Sequence, residues 1–171
     1  IKNLPQGHPL ELVVINPGYV LGPLPDTHQR TSGELIKQLM SGTLPGLARV
    51  QFSGVDVRDV AAAHIAAMTT PEAAGQRFLC ISEHFWLHEA AVILNKHFSA
   101  RGYKIPTTIL PSWLVRIVAI FLPPARAVLK TLDREVFTDT TLIRKTLNWK
   151  PRSLEQTFVD MAESMIELKL V

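Results

Sequence analysis

The segment formed by residues 13–23 constrains the fold more than any other part of the chain. It reads Val-Val-Ile-Asn-Pro-Gly-Tyr-Val-Leu-Gly-Pro, an apolar run that stops abruptly and then resumes briefly. The apolar residues 12–15 predict a strand buried on both faces, as in a parallel sheet. Pro17 has no N–H for a sheet ladder, so the strand must end there, and Gly18 lets the backbone bend or lie close to another molecule. Because ligands bind beyond the carboxyl ends of such strands, this segment predicts a ligand-binding floor.

The composition fits about one globular domain and argues against several classes of partner. The 171 residues are 47% hydrophobic, and their net charge of +3 is too small and too scattered to predict nucleic-acid binding. The apolar stretch 109–122 is shorter than the roughly 20 residues that cross a bilayer. It predicts a buried or surface-packed helix, with an interfacial membrane helix as the alternative. The single cysteine, Cys80, allows no internal disulfide and fits a reducing compartment, so we expect a cytoplasmic protein without a membrane span.

The pattern along the chain is α/β, with helices more frequent toward the C-terminus. Strands are expected at residues 12–15, 50–52, 54–57 and 77–81, and helices at 31–41, 60–69, 86–101, 111–121, 125–130, 140–147 and 154–168. Thr31 and Glu34 have the spacing of a capping box, Asp59 is the expected N-cap of the second helix, and Asp139 or Thr140 and Ser153 cap the last two. The first and last helices are each expected to bury an apolar face, formed by Leu35, Ile36, Leu39 and Met40 and by Leu154, Phe158, Met161 and Met165. A buried parallel strand needs neighbours on both edges, and these runs supply few. We therefore expect the C-terminal part of a longer protein.

Three segments, in order along the chain, resemble the extended short-chain dehydrogenase/reductase superfamily. They are residues 13–23, residues 55–64 (Val-Asp-Val-Arg-Asp-Val-Ala-Ala-Ala-His) and residues 146–155 (Thr-Leu-Asn-Trp-Lys-Pro-Arg-Ser-Leu-Glu). The resemblance covers nearly the whole chain and is strongest to dihydroflavonol-reductase-like and aldehyde-reductase-like members. It implies the C-terminal part of a Rossmann-like NAD(P)-binding fold with a mainly helical substrate-binding cap. It also implies an enzyme that reduces an aldehyde or ketone to an alcohol with NADP or NAD.

Two elements of that family's active site are missing from the sequence. The nine glycines contain no G-x-x-G-x-x-G or G-x-G-x-x-G spacing for a phosphate loop. The family's catalytic Tyr-x-x-x-Lys pair is missing as well, since Pro23 follows Tyr19 and Thr107 follows Tyr103 at that spacing. The resemblance thus implies that the phosphate-binding half and the catalytic residues lie upstream of Ile1. The chain by itself is expected to hold no catalytic residue and to be inactive.

The resemblance also implies which residues face the cofactor and the substrate. The nicotinamide is expected against the backbone that follows the first strand, with further contacts from the start of the helix at residue 31, where N–H groups favour anions. The expected cofactor-binding residues are Pro17, Gly18, Tyr19, Val20, Thr31 and Ser32. The expected substrate-binding residues are Tyr19, Leu24 and Trp113. A turn that touches no ligand, and plain helix capping by Thr31 and Ser32, remain as alternatives.

The loop at residues 24–30 and the segment 103–114 are expected to set substrate specificity, because loops on a rigid scaffold commonly carry binding groups. Their apolar residues favour a hydrophobic aldehyde or ketone over a nucleotide sugar. These residues are Leu24, Ile105, Ile109 and Leu110.

Asp56 and Asp59 are spaced like paired carboxylates for acid–base work, but we interpret them as structural. Helix capping is a sufficient role for Asp59, and Arg58 and Arg77 are expected to neutralise the local charge.

The histidines and tryptophans are also interpreted as structural. His64 is expected to be partly buried and hydrogen-bonded. His84 and His88 are four residues apart, yet the six histidines show no metal-ligand spacing, so no metal site is expected. Trp86, Trp113 and Trp149 are expected to pack in a core or between domains.

Three functions remain open at this point. The first is a reductase part that binds a small carbonyl or alcohol substrate, and the second is a nucleotide-sugar epimerase or dehydratase of the same superfamily. The third is a non-catalytic protein that binds a dinucleotide as a sensor or scaffold. No nucleic acid is expected as a partner, and a homodimer is left open.

Overall fold

The structure is a computed structural model that describes residues 10–27, 31–121, 126 and 128–171. At its centre, two extended segments of the chain each pair first with one strand and then with another. The strands are β1 (Val14–Pro17), β2 (Tyr19–Leu21), β3 (Gln51–Asp56), β4 (Arg77–Cys80) and β5 (Glu83–Trp86). β1 pairs in parallel with β4, and β2 pairs in parallel with β3. β5 lies antiparallel on the other edge of β3. The predicted α/β class with parallel strands is confirmed.

The exchange occurs at Gly18 on one segment and at Ser82 on the other. The Gly18 N–H donates to the Cys80 carbonyl at 3.1 Å, which completes the pairing of β1 with β4. The next residue of that segment, Tyr19, is already in register with Gly54 of β3. The Ser82 N–H and hydroxyl both donate to the Gly54 carbonyl, at 2.9 and 2.8 Å, just before β5 joins β3. The two small sheets are therefore joined through β3.

Six helices of the described residues surround these strands. They are α1 (Thr31–Ser41), α2 (Val57–Thr69), α3 (Leu87–Phe98), α4 (Ser112–Phe121), α5 (Thr141–Thr146) and α6 (Leu154–Glu167). On α1 the predicted apolar face is confirmed for Ile36, Leu39 and Met40, which are buried, whereas Leu35 is half-buried. On α6 the predicted stripe is also buried, and it comprises Leu154, Phe158, Met161 and Met165.

Two apolar clusters form the interior. The first lies between β2, β3, β5 and helices α1, α3 and α6, and it holds a chain of rings. The ring centroids of Tyr19 and Phe52 are 5.2 Å apart, those of Phe52 and Phe85 are 5.6 Å apart, and those of Phe85 and Phe158 are 5.0 Å apart. The second cluster packs β4 against α2 and α5. Helix α6 thus seals the first cluster, directly behind β2 and β3.

A charged network fastens α2 and α6 to the end of β3, around the fully buried carboxylate of Asp56. The Arg58 N–H donates to Asp56 Oδ1 at 2.8 Å, which makes Asp56 the N-cap of α2. The guanidinium of Arg58 contacts both carboxylate oxygens, and that of Arg152 lies 3.0 Å from Oδ1. Burial would raise the pKa of Asp56, but hydrogen bonds from Arg58 and Thr157 and the charge of Arg58 hold it below its ordinary value.

Asp59 joins the same region to the segment before α6. Trp149 Nε1 donates to the Asp59 carbonyl at 2.9 Å, and the Arg152 N–H donates to Asp59 Oδ2 at 2.9 Å. The prediction that Asp59 caps the helix is wrong, because α2 begins at Val57 and its cap is Asp56. Arg152, rather than the exposed Arg77, is the second cation at these carboxylates.

The strand predictions need three corrections. The strand expected at residues 12–15 runs from Val14 to Pro17, is half-buried rather than buried on both faces, and leaves Leu12 52% exposed. Among the residues that the structure describes, β1 has a strand partner on one edge only, which explains the exposure. The runs at 50–52 and 54–57 form the single strand β3. The sequence predicts no strand at residues 83–86, where β5 lies, and Trp86 ends this strand instead of starting the helix expected at 86–101.

The predicted burial of the aromatic side chains is confirmed for Trp149 and is wrong for Trp113 and His64. Trp149 is buried, as expected, whereas Trp113 is 63% exposed on α4. Trp86 is half-buried beneath the guanidinium of Arg49, whose carbon lies 4.1 Å from the ring centroid. His64 is exposed rather than partly buried, and its ring nitrogen lies 2.8 Å from the Val60 carbonyl oxygen.

Helix α4 packs on the surface. Val115 and Ala119 are buried, whereas Ile117 and Ile120 are exposed, in agreement with a surface-packed helix. Within the described ranges, no helix has the length and apolar character needed to cross a membrane. The helix predicted at residues 125–130 includes positions 125 and 127, which lie outside the described residues.

We predict that Asp56→Asn lowers the free energy of unfolding of the complete gene product by about 2 kcal/mol at neutral pH, because hydrogen bonds to a charged group contribute about that much. The lowered pKa of Asp56 means that its contribution is present above the unfolded-state pKa and is lost as the pH falls through the folded-state value. Urea unfolding at several pH values should show the gap between variant and parent narrowing below about pH 4. A gap that does not change with pH would contradict this assignment.

Candidate functional site

The predicted ligand floor is built on the close approach of Gly18 to the neighbouring strand. A Cβ at Gly18 would overlap the backbone carbonyl oxygen of Ser53 and lie 3.1 Å from Cγ1 of Ile81. The backbone of Gly18 is not left-handed, so glycine is required there for space and not for an unusual φ. The space that a side chain would need is occupied by the chain's own β3. The close contact predicted at this glycine is therefore internal to the protein.

The side chains next to Gly18 point in different directions. Pro17 is exposed at the end of β1. Tyr19 is half-buried against Phe52, and burial raises the pKa of its phenol. Val20 packs on the opposite face of the strand, against the second cluster. The floor therefore combines an exposed proline with a strand whose alternate residues are anchored in both cores.

A cavity of about 160 Å³ lies beyond the end of β2. Its walls come from β2, the loop that follows it, the start of α1, the start of α2 and the side of α6. The lining residues are Val20, Leu21, Gly22, Pro23, Leu24, Pro25, Ser32, Val57 and Met161. Three of the predicted site residues, Val20, Leu24 and Ser32, meet here, whereas Pro17, Gly18, Tyr19 and Trp113 do not line it.

The loop over this cavity is held by α6. The Gly22 N–H donates to Sδ of Met161 at 3.4 Å, and the Leu24 N–H donates to Oγ of Ser164 at 3.0 Å. The Ser164 hydroxyl in turn donates to the Met161 carbonyl at 2.7 Å. Gly22 has a φ of 123°, and a Cβ there would lie 3.2 Å from Oδ1 of Asp56. The loop is therefore positioned by residues more than a hundred positions away in sequence.

Sequence reasoning missed Met161 and Ser164 as parts of the site. Met161 belongs to the apolar stripe of α6, and nothing in that stripe distinguishes a cavity wall from ordinary core. Ser164 is a single serine in an amphipathic helix. Only the fold shows that both face the loop after β2, although the Gly-Pro step at residues 22–23 did mark that loop as constrained.

The start of α1 supplies the remaining predicted contacts. Thr31 is the first residue of α1, and its side chain lies outside the described part of the structure, as do residues 28–30. The predicted capping box with Glu34 therefore falls partly on undescribed atoms. The Glu34 carboxylate accepts a hydrogen bond from Gln38 at 3.1 Å. Ser32 is half-buried and places its hydroxyl-bearing side chain among the residues that line the cavity.

The side chains that line the cavity are suited to binding a ligand rather than to transferring a proton. Among the described residues, those that line the cavity carry no ionisable side chain. His84 lies elsewhere, with its ring nitrogens 3.0 Å from the hydroxyls of Ser53 and Thr138. Within the described ranges no group of three or more His, Cys, Asp or Glu side chains is placed to hold a metal ion. The described residues offer a cavity with mainly apolar side chains and one hydroxyl at the end of β2.

Known proteins resemble this chain in sequence over most of its length. The NADPH-dependent methylglyoxal reductase Gre2 of Saccharomyces cerevisiae is 30% identical over 165 residues, which cover 93% of this chain and 44% of the relative. The ketoreductase azaE of Aspergillus niger is 29% identical over 92% of this chain and 44% of its own length. The chain thus spans less than half the length of these curated relatives. No protein-family model matches the sequence.

Solved structures agree with the sequence comparison. The yeast methylglyoxal/isovaleraldehyde reductase Gre2 complexed with NADPH matches with a TM-score of 0.70, over 93% of this chain and 44% of that chain. Gre2 of Candida albicans in complex with NADPH, 27% identical, matches with a TM-score of 0.72 over 98% of this chain and 46% of that chain. The sequence comparison and the fold comparison thus point to the same relative. The chain belongs to the extended short-chain dehydrogenase/reductase superfamily.

Proposed function

We propose that residues 1–171 form the C-terminal, ligand-binding part of an NADPH- or NADH-dependent oxidoreductase that reduces an aldehyde or ketone to an alcohol. The observation that carries the proposal is the rigid strand end at residues 17–20, which leads directly into a cavity lined by Val20, Leu24 and Ser32. The names of the relatives support this activity, since one is an NADPH-dependent reductase of methylglyoxal and another is a ketoreductase.

The residues present suit a dinucleotide cofactor. Pro17 is exposed at the end of β1, where a flat amide ring can lie against a fixed surface. The first N–H groups of α1, an 11-residue helix, favour an anionic group of the cofactor, and Ser32 is its second residue. When bound, the reduced nicotinamide supplies the hydride. This chain would orient the ring and keep water from it with apolar side chains.

The chain would contribute only part of the active site. A reduced carbonyl also needs a proton, and the described residues that line the cavity have no ionisable group to give one. We propose that the proton donor and the phosphate loop come from a part of the protein outside these 171 residues. In this proposal the 171 residues supply the cofactor floor and the substrate cavity, and another part of the protein supplies the proton.

The activity is tested with the complete gene product and NADPH. We expect loss of NADPH absorbance with methylglyoxal and with isovaleraldehyde, accompanied by an equal amount of alcohol measured by gas chromatography. A reaction without carbonyl compound is the control. Conversion of a nucleotide sugar with no turnover of any carbonyl in the panel would overturn the proposal.

Calorimetry of the 171-residue chain with NADPH tests whether another part of the protein is needed to bind the cofactor. We expect no saturable heat from this chain and clear binding by the complete gene product, because the chain has no phosphate loop. Micromolar binding by the chain alone would show that the phosphate site lies within it.

The floor is tested by Gly18→Ala in the complete gene product. The added methyl group must displace the Ser53 carbonyl, so we expect a loss of about 1–3 kcal/mol in the free energy of unfolding, the usual cost of overpacking. We also expect a raised KM for NADPH. Urea unfolding and initial rates measure the two effects.

Gly33→Ala is the matched control for this substitution. Its Cβ would meet its nearest neighbour, the methyl group of Met165, at an ordinary 3.5 Å, and alanine favours helix over glycine. The control should be at least as stable as the parent. If Gly18→Ala behaves like Gly33→Ala, the close approach at Gly18 does not shape the floor.

A further inference from the structure

We propose that the outward face of α4 binds the surface of an anionic lipid bilayer, with its apolar side chains at the headgroup boundary and nearby cations on the lipid phosphates. This inference goes beyond the proposed function and does not depend on it, because no residue of α4 is among those that line the cavity beyond β2.

Helix α4 exposes three large apolar side chains on one side. Trp113, Ile117 and Ile120 are 63%, 46% and 64% exposed, and their spacing of four and three residues places them in one row along the helix. Val115 and Ala119, on the opposite side, are buried and hold the helix to the protein. A contiguous apolar row in contact with water is the usual mark of an interaction surface.

The part of the chain that includes α4 has no negatively charged side chain. Residues 90–132 contain six lysines and arginines and no aspartate or glutamate. Lys96 and Arg101 are paired with carboxylates of α6. The other four form no salt bridge with any carboxylate of the described residues, and they are Lys104, Arg116, Arg126 and Lys130. Their charge is therefore available to an anionic partner.

Two of these four cations lie on α4 or at its end. Arg116 is exposed and follows Trp113 by three residues, so it lies on the same side of the helix as the apolar row. Arg126 lies at the end of α4, where its guanidinium donates to the Ala119 and Ile120 carbonyls at 3.1 and 3.0 Å. The last exposed isoleucine of the row thus lies beside a fixed guanidinium.

The segment that follows Arg126 returns along α4 and adds a third cation. Arg126 contacts the last turn of the helix, and Asp133 accepts a hydrogen bond from Ser112 in its first turn, at 2.6 Å. Lys130 lies between these two anchors and is exposed. The Asp133 carboxylate also lies 3.8 Å from the guanidinium of Arg49, which offsets its charge. Cations therefore lie on the helix, at its end and on the neighbouring segment.

An anionic bilayer matches both the apolar row and the charge. Apolar side chains gain free energy by entering the boundary between headgroups and acyl chains, and lysines and arginines gain it near anionic headgroups. Tryptophan is enriched at this interface, because its ring is apolar while its N–H stays hydrated. At 10 residues α4 is far shorter than the roughly 20 that cross a bilayer, so it would lie in the plane of the surface.

A second copy of the chain suits this surface less well. Two α4 faces in contact would bring the unpaired cations of both copies together, and like charges in contact destabilise an interface. A strand paired to the edge of β1 that is open among the described residues would extend the sheet of the second cluster, whereas α4 packs on the first through Val115.

The test is sedimentation of the complete gene product with lipid vesicles. Vesicles of equal parts phosphatidylserine and phosphatidylcholine are compared with vesicles of phosphatidylcholine alone, at low and at physiological salt. We expect binding to the anionic vesicles that weakens as salt rises, because salt screens exposed charges. Trp113 should show a blue shift of its fluorescence on binding, and Trp113→Phe should remove this shift without abolishing binding.

Two substitutions separate the apolar and the charged contributions. Ile120→Gln should weaken binding to the anionic vesicles about tenfold or more, because it removes apolar surface that would enter the bilayer. Arg116→Gln should weaken it about fivefold, the usual effect of one cation near an anionic surface, and should reduce its dependence on salt.

Ile65→Gln is the matched control. Ile65 is 65% exposed on α2, against 64% for Ile120 on α4, so both substitutions remove the same side chain from an equally exposed helical position. The control should leave vesicle binding unchanged. Both variants should keep the melting temperature of the parent, because exposed substitutions change stability little.

Each contrary result overturns the inference. A parent that does not bind the anionic vesicles defeats it, and sedimentation equilibrium then shows whether a second copy covers α4, as a dimer that Ile120→Gln dissociates. Equal losses in Ile120→Gln and Ile65→Gln, or equal binding to both kinds of vesicle, also defeat it. None of these measurements requires turnover of a carbonyl compound, so this inference and the proposed function fail separately.

Discussion

The contact between Gly18 and the Ser53 carbonyl determines how the rest of the molecule is arranged. At this point one extended segment leaves β4 and joins β3, and a side chain of any size would prevent the approach. The second segment makes the corresponding change at Ser82, whose hydroxyl and N–H both bind the Gly54 carbonyl. Because β3 receives both segments, the position of the floor is set by backbone contacts, which few substitutions elsewhere can alter.

The charged network at the end of β3 extends this rigidity to α6. The Asp56 carboxylate caps α2 and binds Arg152 just before α6 begins, so the helix that walls the cavity is fastened to the strand that supports the floor. The arginines are partly exposed and retain much of their hydration, which reduces the usual cost of a buried ion pair. The segments at residues 55–64 and 146–155, which resemble the family in sequence, are thus one structural unit.

The sequence correctly predicted the structural features that depend on residues close together along the chain. Pro17 ended β1, and the apolar periodicity of α1 and α6 gave the faces that are buried. The predicted start of α2 is wrong because two aspartates, at residues 56 and 59, both suit a cap. In the fold Asp56 accepts the Arg58 N–H, whereas Asp59 accepts hydrogen bonds from Trp149 and the Arg152 N–H. Such partners are far away in sequence, and no propensity encodes them.

The candidate site shows the same difference between residues that the local sequence identifies and residues that only the fold brings together. Val20, Leu24 and Ser32 were found from a resemblance and a turn, and they lie within a dozen residues of one another. Met161 and Ser164 contact the loop after β2 across 139 and 140 positions, from a helix whose apolar stripe looks like ordinary core. The backbone of that loop is held by hydrogen bonds to side chains of a distant helix, and no pattern in residues 13–25 indicates which helix supplies them.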